Sequence, residues 1–256
     1  MRDEGRLGPI EWAVAGQPVA GEDVSGDHWV VVDAGGAALV GVIDGLGHGE
    51  RAAEAAHRAV AVLSERPGQP LDALMQRCHD ALTQSRGAAM SLALITYGTD
   101  LRAAGAPVGA DARSVAAEAR GGNGSLGSEA RSVNGSLGSE ARSLDGPRSA
   151  LTWLGVGNVR ASLVRAVPGG PVSRAAALLH GGVVGYRLPS QLRAQTLTMR
   201  PGDLLVMASD GLTDAFADDP PLAQSAGKIA EDILARYNKG TDDALVLAAR
   251  HRGTPP

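Results

Sequence analysis

Four acidic positions carry the chemistry this chain can do. Asp27, Asp44, Asp210 and Asp242 (or its neighbour Asp243) each stand at the end of an apolar run. Three of them have a glycine beside them: Gly26, Gly45 and Gly211. Carboxylates gathered at strand ends repel one another unless a positive charge lies between them. No lysine or arginine occurs in these motifs, and the lone cysteine, Cys78, rules out a cysteine-built metal site. A hard divalent cation is the natural counter-charge, because all-oxygen donors select Mg²⁺ or Mn²⁺ over zinc. Three or four carboxylates with open water positions suit a two-metal site that activates water and clamps a phosphoryl group. Taken singly, each aspartate reads equally as a turn residue or helix cap.

The elements that must position these acids are legible in the pattern. Ile10 to Ala15 and His28 to Val32 read as strands, separated by a polar turn that contains Glu22, Asp23 and Asp27. Ala34-Gly35-Gly36 turns into a third apolar run, Ala37 to Ile43, which delivers Asp44. Asp27 and Asp44 therefore flank one hairpin and meet if its strands match in length. After Asp44 come three glycines and His48, then an Ala-rich helix over Arg51 to Leu63. A second helix carries the stripe Leu71, Leu74, Met75, Cys78 and Leu82, which makes Cys78 a core residue, and Gly87 closes it. His57 and His79 sit among polar neighbours and read as surface residues. Met90 to Tyr97 reads as a buried strand.

Residues 103–148 break the pattern. They are Ala, Gly, Ser, Arg and Glu, and Asn123 to Val133 recurs almost letter for letter as Asn134 to Leu144. Such a segment buries too little apolar surface to order itself, so it reads as a disordered insert. Beyond it, Leu151 to Leu154 and Val159 to Val164 read as a hairpin turned by Gly155-Val-Gly157-Asn158. No helix pattern follows that Gly-x-Gly, which removes the dinucleotide-fold reading. Leu192 to Met199 and Asp203 to Ala208 are further strands, the second ending in Ser209-Asp210-Gly211. A helix marked by Leu222, Ala226, Ile229 and Ile233 stops at Lys239-Gly240. Thr241-Asp242-Asp243 then opens a last strand, Ala244 to Ala249, with a frayed tail from His251.

Composition narrows the function. The 256 residues carry a net charge of −4 with no basic block, which argues against nucleic acid as a partner. The N-terminus has acids and no apolar core, so it is no secretory signal. No run reaches the ~20 apolar residues of a membrane span. A cytoplasmic protein without a membrane partner is the expectation.

The ordered motifs Ser25-Gly26-Asp27, Asp44-Gly-Leu-Gly-His-Gly49, Gly155-Val-Gly-Asn158, Gly181-Gly-Val-Val-Gly-Tyr186, Ser209-Asp-Gly211 and Asp242-Asp243 carry a resemblance. Together they resemble the metal-dependent PPM protein phosphatases. More narrowly they resemble the SpoIIE-like branch and its stand-alone RsbX-type members, which act in partner-switching and stressosome pathways. The resemblance runs over one domain with a core of about residues 9–250, and the 103–148 insert is no part of it.

It implies an α+β fold, a four-layer αββα sandwich of two antiparallel sheets flanked by helices. It implies a phosphoserine/phosphothreonine protein phosphatase with two Mn²⁺ or Mg²⁺ ions. Asp44 would bridge the metals, the Gly45 carbonyl would bind one, and Asp27, Asp210 and Asp242 would supply the remaining carboxylates. Asp242 against Asp243 stays open, since Asp243-Ala244-Leu245 replaces the usual Thr-containing continuation. His48 is either a proton donor to the leaving group or a packing residue of its turn. The implied substrates are phosphorylated STAS-domain regulators, with the enzyme a monomer or weak dimer. The eukaryotic branch's N-terminal phosphate-binding arginine has no counterpart here. The competing class is a catalytically silent copy of the fold used as a binding module.

Overall fold

The computed structural model describes residues 1–97, 149–166, 172–218 and 222–253. The expected insert at 103–148 lies outside the described residues.

Twelve strands and three α-helices make up the described chain. One sheet is built from β1 (Arg2–Leu7), β2 (Ile10–Gln17), β7 (Arg160–Arg165), β8 (Ser173–Ala176), β11 (Leu204–Ala208) and β12 (Ala244–His251). Its order is β1-β2-β12-β11-β7-β8, and every pairing is antiparallel. The other sheet runs β10-β6-β5-β4-β3, from β3 (Asp27–Asp33), β4 (Ala37–Gly45), β5 (Ala88–Thr96), β6 (Ser149–Val156) and β10 (Gln195–Met199). A sixth strand, β9 (Leu179–His180), pairs parallel with the end of β6, so this sheet is mixed rather than wholly antiparallel. The two-residue β9 and the longer β10 share the same strand, β6, each pairing a different stretch of it.

The layers follow from what each face buries. Val14, Val40, Val42, Ile95, Trp153, Met207 and Leu247 fill the space between the sheets. Leu39, Ile43, Met90 and Leu92 face the other way, against α1 (Glu50–Glu65) and α2 (Leu71–Leu82). Val206, Ala208, Val246 and Ala248 face α3 (Ala226–Tyr237) on the outer side of the first sheet. Both faces of β4, β11 and β12 are therefore covered, which is why these strands read as unbroken apolar runs without alternation. The result is the expected αββα sandwich. With one phenylalanine, three tryptophans and three tyrosines in the chain, the core rests on aliphatic side chains. Alanines at 52, 55, 56 and 59 let α1 approach its sheet closely. Among the described residues no helix is long and apolar enough to cross a membrane.

Three expectations are corrected. The run 151–164 is not a hairpin: β6 belongs to one sheet and β7 to the other, so Gly157-Asn158 is a corner between layers. Gly157 makes that corner at φ +94°, where a Cβ would also strike Ala89. His251 is not frayed but ends β12, fully buried, with Nε2 2.8 Å from Ser149 Oγ of the opposite sheet. Burial is the main cause that lowers its pKa, opposed by Asp203, and keeps the ring neutral. Helix α2 ends at Leu82 with Thr83 as its C-cap, ahead of Gly87.

Candidate metal centre

Four strand ends meet at one end of the sandwich. In the β3–β4 hairpin, Asp27 and Asp44 are direct register partners, as matched strand lengths require. Asp210 follows β11 and Asp242-Asp243 precedes β12, and those two strands are paired at the same end of their own sheet. Ser209 joins the two sheets there. Its hydroxyl donates to Asp27 Oδ2 at 2.6 Å and accepts from the Leu245 amide at 2.9 Å.

The carboxylates feel one another. Burial pushes the Asp27 carboxyl up to about 7; the Ser209 hydrogen bond opposes this, while Asp243, Asp210 and Asp242 add to it. Burial pushes Asp44 up to about 8, with Asp27, Asp210, Asp242 and Asp243 adding repulsion. Among the described residues, no lysine or arginine pairs with any of these five carboxylates. Lys239 Nζ donates instead to the Asp210 carbonyl oxygen, 2.7 Å away. An all-oxygen, negatively charged, partly buried donor set fits a hard divalent ion and nothing softer. Among the described residues, however, no three acidic or imidazole side chains already surround a single ion position.

The two aspartates of the last motif differ in their work. Asp243 is buried, and both its oxygens are committed: Oδ1 accepts from the Val19 amide at 2.8 Å and Oδ2 from the Gly26 amide at 2.7 Å. Asp242 is half-buried, with one oxygen accepting from the Asp243 amide. Of these two, only Asp242 keeps a carboxylate oxygen without a backbone donor among the described residues.

The glycines of the two Asp-Gly pairs have a shared cause. Neither adopts the left-handed region; each stands where another backbone passes. A Cβ on Gly45 would lie 2.1 Å from the Ala52 carbonyl oxygen of α1. One on Gly211 would lie 2.0 Å from the Asp243 carbonyl oxygen. These contacts are backbone and cannot swing away, so the strand ends are locked to their neighbours. Gly211→Ala is expected to cost about 2 to 3 kcal/mol through overpacking. Chemical denaturation would read this as a lower midpoint, and an unchanged midpoint would contradict the close approach.

His48 is not among the carboxylates. It is exposed on the turn after Asp44, and its Nδ1 lies 2.6 Å from Glu22 Oε1. Asn158, carried in by the corner between sheets, donates from Nδ2 to Asp210 Oδ2 at 2.6 Å. The Arg86 guanidinium lies over Gly47, 2.7 Å from where a Cβ would stand. Glu22, Asn158 and Arg86 were not among the candidate residues. Asn158 stands inside the Gly-Val-Gly-Asn signal; Glu22 and Arg86 carry no local signal at all.

No protein-family model and no curated relative matches the chain. Solved structures do. A chain from a description of the bacterial stressosome, as a modular system adapted to control secondary messenger signaling, is 23% identical with a TM-score of 0.67. That match covers 94% of this chain and 99% of the other. RsbX in complex with magnesium is 18% identical, with a TM-score of 0.66 over 98% of this chain and 99% of RsbX. The PP2C phosphatase domain and regulatory fragment of SpoIIE from Bacillus subtilis is 15% identical, with a TM-score of 0.62 over 100% of this chain and 66% of that one. The chain therefore has the PPM-type (PP2C) phosphatase fold, with RsbX and SpoIIE among its structural neighbours.

Proposed function

We propose that this chain is a metal-dependent phosphoserine/phosphothreonine protein phosphatase of the cytoplasm. The observation that supports it most is the convergence of Asp27, Asp44, Asp210 and Asp242 with no lysine or arginine salt-bridged to any of them among the described residues. In this reading Asp44, the Gly45 carbonyl, Asp27, Asp210 and Asp242 would hold the metal ions. Asp242 is assigned over Asp243 because both oxygens of Asp243 hold the 19–26 loop. When bound, two Mn²⁺ or Mg²⁺ ions supply charge neutralisation and Lewis acidity toward the phosphoryl group.

The chain's own residues do the positioning. Ser209 orients Asp27, and Asn158 orients Asp210, so neither carboxylate is free to rotate. Gly26 packs between Ala52 of α1 and Asp243, which holds the start of β3 against the end of β4. Arg86, over Gly47, and Lys239, at the Asp210 carbonyl, border the cluster with positive charge, suited to a phosphate dianion.

Stressosome and RsbX neighbours favour a partner-switching regulator as the substrate; within that class the proposed substrates are phosphorylated STAS-domain proteins, and the enzyme is proposed to act as a monomer or weak dimer. Calorimetric titration with Mn²⁺ tests the reading. Binding that is lost in Asp210→Ala is expected. No binding at millimolar metal would instead indicate a silent binding module.

A further inference from the structure

We propose that His28 and His57 form a second metal site, one that takes an imidazole-preferring divalent ion such as Zn²⁺. The site is separate from the aspartate centre and does not depend on the phosphatase reading.

Two rigid elements bring the rings together. Gly26, His28 and Val30, at and just before the start of β3, all face α1. A Cβ on Gly26 would lie 2.7 Å from the Ala52 Cβ, and Val30 shares a core cluster with Ala55, Ala56 and Ala59. Small residues thus let the helix lie close on the strand. Between those two contacts His28 meets His57, with ring centres 4.5 Å apart and planes crossing at 85°. His28 is half-buried and His57 exposed, so an ion can enter from solvent. Asp27 and His28 are neighbours in sequence but point to opposite faces of the sheet, Asp27 toward Ser209 and His28 toward α1.

Hydrogen bonding singles this pair out. The chain has six histidines. Ring nitrogens of His48, His79, His180 and His251 are engaged by Glu22, the Gly185 amide, Arg193 and Ser149. Those of His28 and His57 have no hydrogen-bond partner among the described residues. The two rings with open nitrogens are therefore the two in contact. Two imidazoles that share one ion at about 2.0 Å, at right to tetrahedral angles, hold their ring centres roughly 4.5 to 5 Å apart. The observed separation falls in that range. The last torsion of a histidine is broad, so the nitrogens can be aimed at one ion without moving β3 or α1. Glu54, one turn before His57, is engaged by Arg58, and water fills the remaining positions. Donor chemistry keeps the two sites apart: carboxylates favour Mg²⁺ and Mn²⁺, imidazoles favour Zn²⁺, Ni²⁺ and Cu²⁺. A bound ion would tie β3, which begins at Asp27, to α1, which follows Asp44.

The alternative is an edge-to-face contact that only packs the strand against the helix. Calorimetric titration of the full chain with Zn²⁺, in excess Mg²⁺ to fill the oxygen donors, separates the two. One Zn²⁺ per chain is expected to bind. His57→Ala is expected to weaken it by about tenfold or more, at least the cost of losing an outer-shell partner. Nitrogen NMR should show the His28 and His57 rings shifting together as Zn²⁺ is added. Zn²⁺ should also raise the melting midpoint of the wild type but not of His57→Ala, since only the folded chain holds both rings. Unchanged Zn²⁺ affinity in His57→Ala would overturn the proposal, as would ring shifts at His48 without His28 and His57. No binding at millimolar Zn²⁺ would overturn it too and leave the rings as packing.

Discussion

Asp44→Asn is expected to raise the stability of the metal-free protein while lowering metal-dependent hydrolysis on the order of 10³-fold. The two effects have one cause. Asp27, buried, and Asp44, half-buried, are register partners whose carboxyls are pushed up to about 7 and about 8. A carboxyl raised in the folded state favours folding while it stays protonated. For Asp44 that contribution is whole below the ordinary value of 3.8 and is lost as pH rises through about 8. Metal-free protein should therefore lose stability across that window, and Asn, which never ionises, should flatten the loss. Added Mn²⁺ should restore the wild type at the upper end of the window and leave Asp44→Asn little changed. Thermal melts over pH, with and without metal, read all of this. A wild type whose stability is flat over that range would contradict the buried, mutually repelling cluster.

The second large effect lies away from the site. Asp203→Ala is expected to cost about 3 kcal/mol, the lower part of the range for breaking a buried ion pair. Asp203 is buried just before β11, and Arg165, at the end of β7, grips it with two nitrogens at 2.8 and 2.6 Å. That hydrogen-bonded grip is the main cause that raises the arginine's pKa. Arg165 also donates to the Thr198 carbonyl on β10, and Asp203 accepts from the Arg200 amide. The cluster thus fastens β10 of one sheet to β7 and β11 of the other. Removing the carboxylate leaves a guanidinium short of its partner and a backbone amide without its acceptor. The Arg165 side chain is 27% exposed and keeps some water, hence the lower figure. Glu54→Ala, which breaks an exposed pair with Arg58 on α1, should change stability by less than ~0.5 kcal/mol. Denaturant midpoints of the two variants check the contrast, and equal shifts would contradict it.

Much of this architecture was legible in the residues. The Leu71–Leu82 stripe is a helix, though it stops short of Gly87, and Cys78 lies in the core. The Asp27–Asp44 meeting follows from a hairpin with a short turn, which fixes register locally. What failed was pairing over distance. Gly155-Val-Gly157-Asn158 has the composition of a hairpin turn, yet local sequence does not say that β6 will pair with β5 and β7 with β11. Edge strand β1 was missed because Arg2–Leu7 is mostly charged and exposed, with no apolar period to announce it.

The site divides the same way. Asp44 and Asp210 were visible because an apolar strand delivering Asp-Gly is a strong local pattern. The constraint on those glycines, the backbone of Ala52 and of Asp243, carries no local signal. The roles of Asp242 and Asp243 could not be separated by adjacency, since only the fold brings Val19 and Gly26 to Asp243. Glu22 lies 26 residues from His48 in a polar loop, and nothing in that loop marks one acid over the next.

Whether the gathered aspartates hold metal for phosphoester hydrolysis is read in phosphate release from a phosphoserine-bearing STAS domain, with Mn²⁺ or with chelator, for wild type and Asp44→Asn. Release by the wild type with Mn²⁺, abolished by chelator and by Asp44→Asn, is the predicted result. Equal release in the chelated wild type, or in Asp44→Asn, would contradict it.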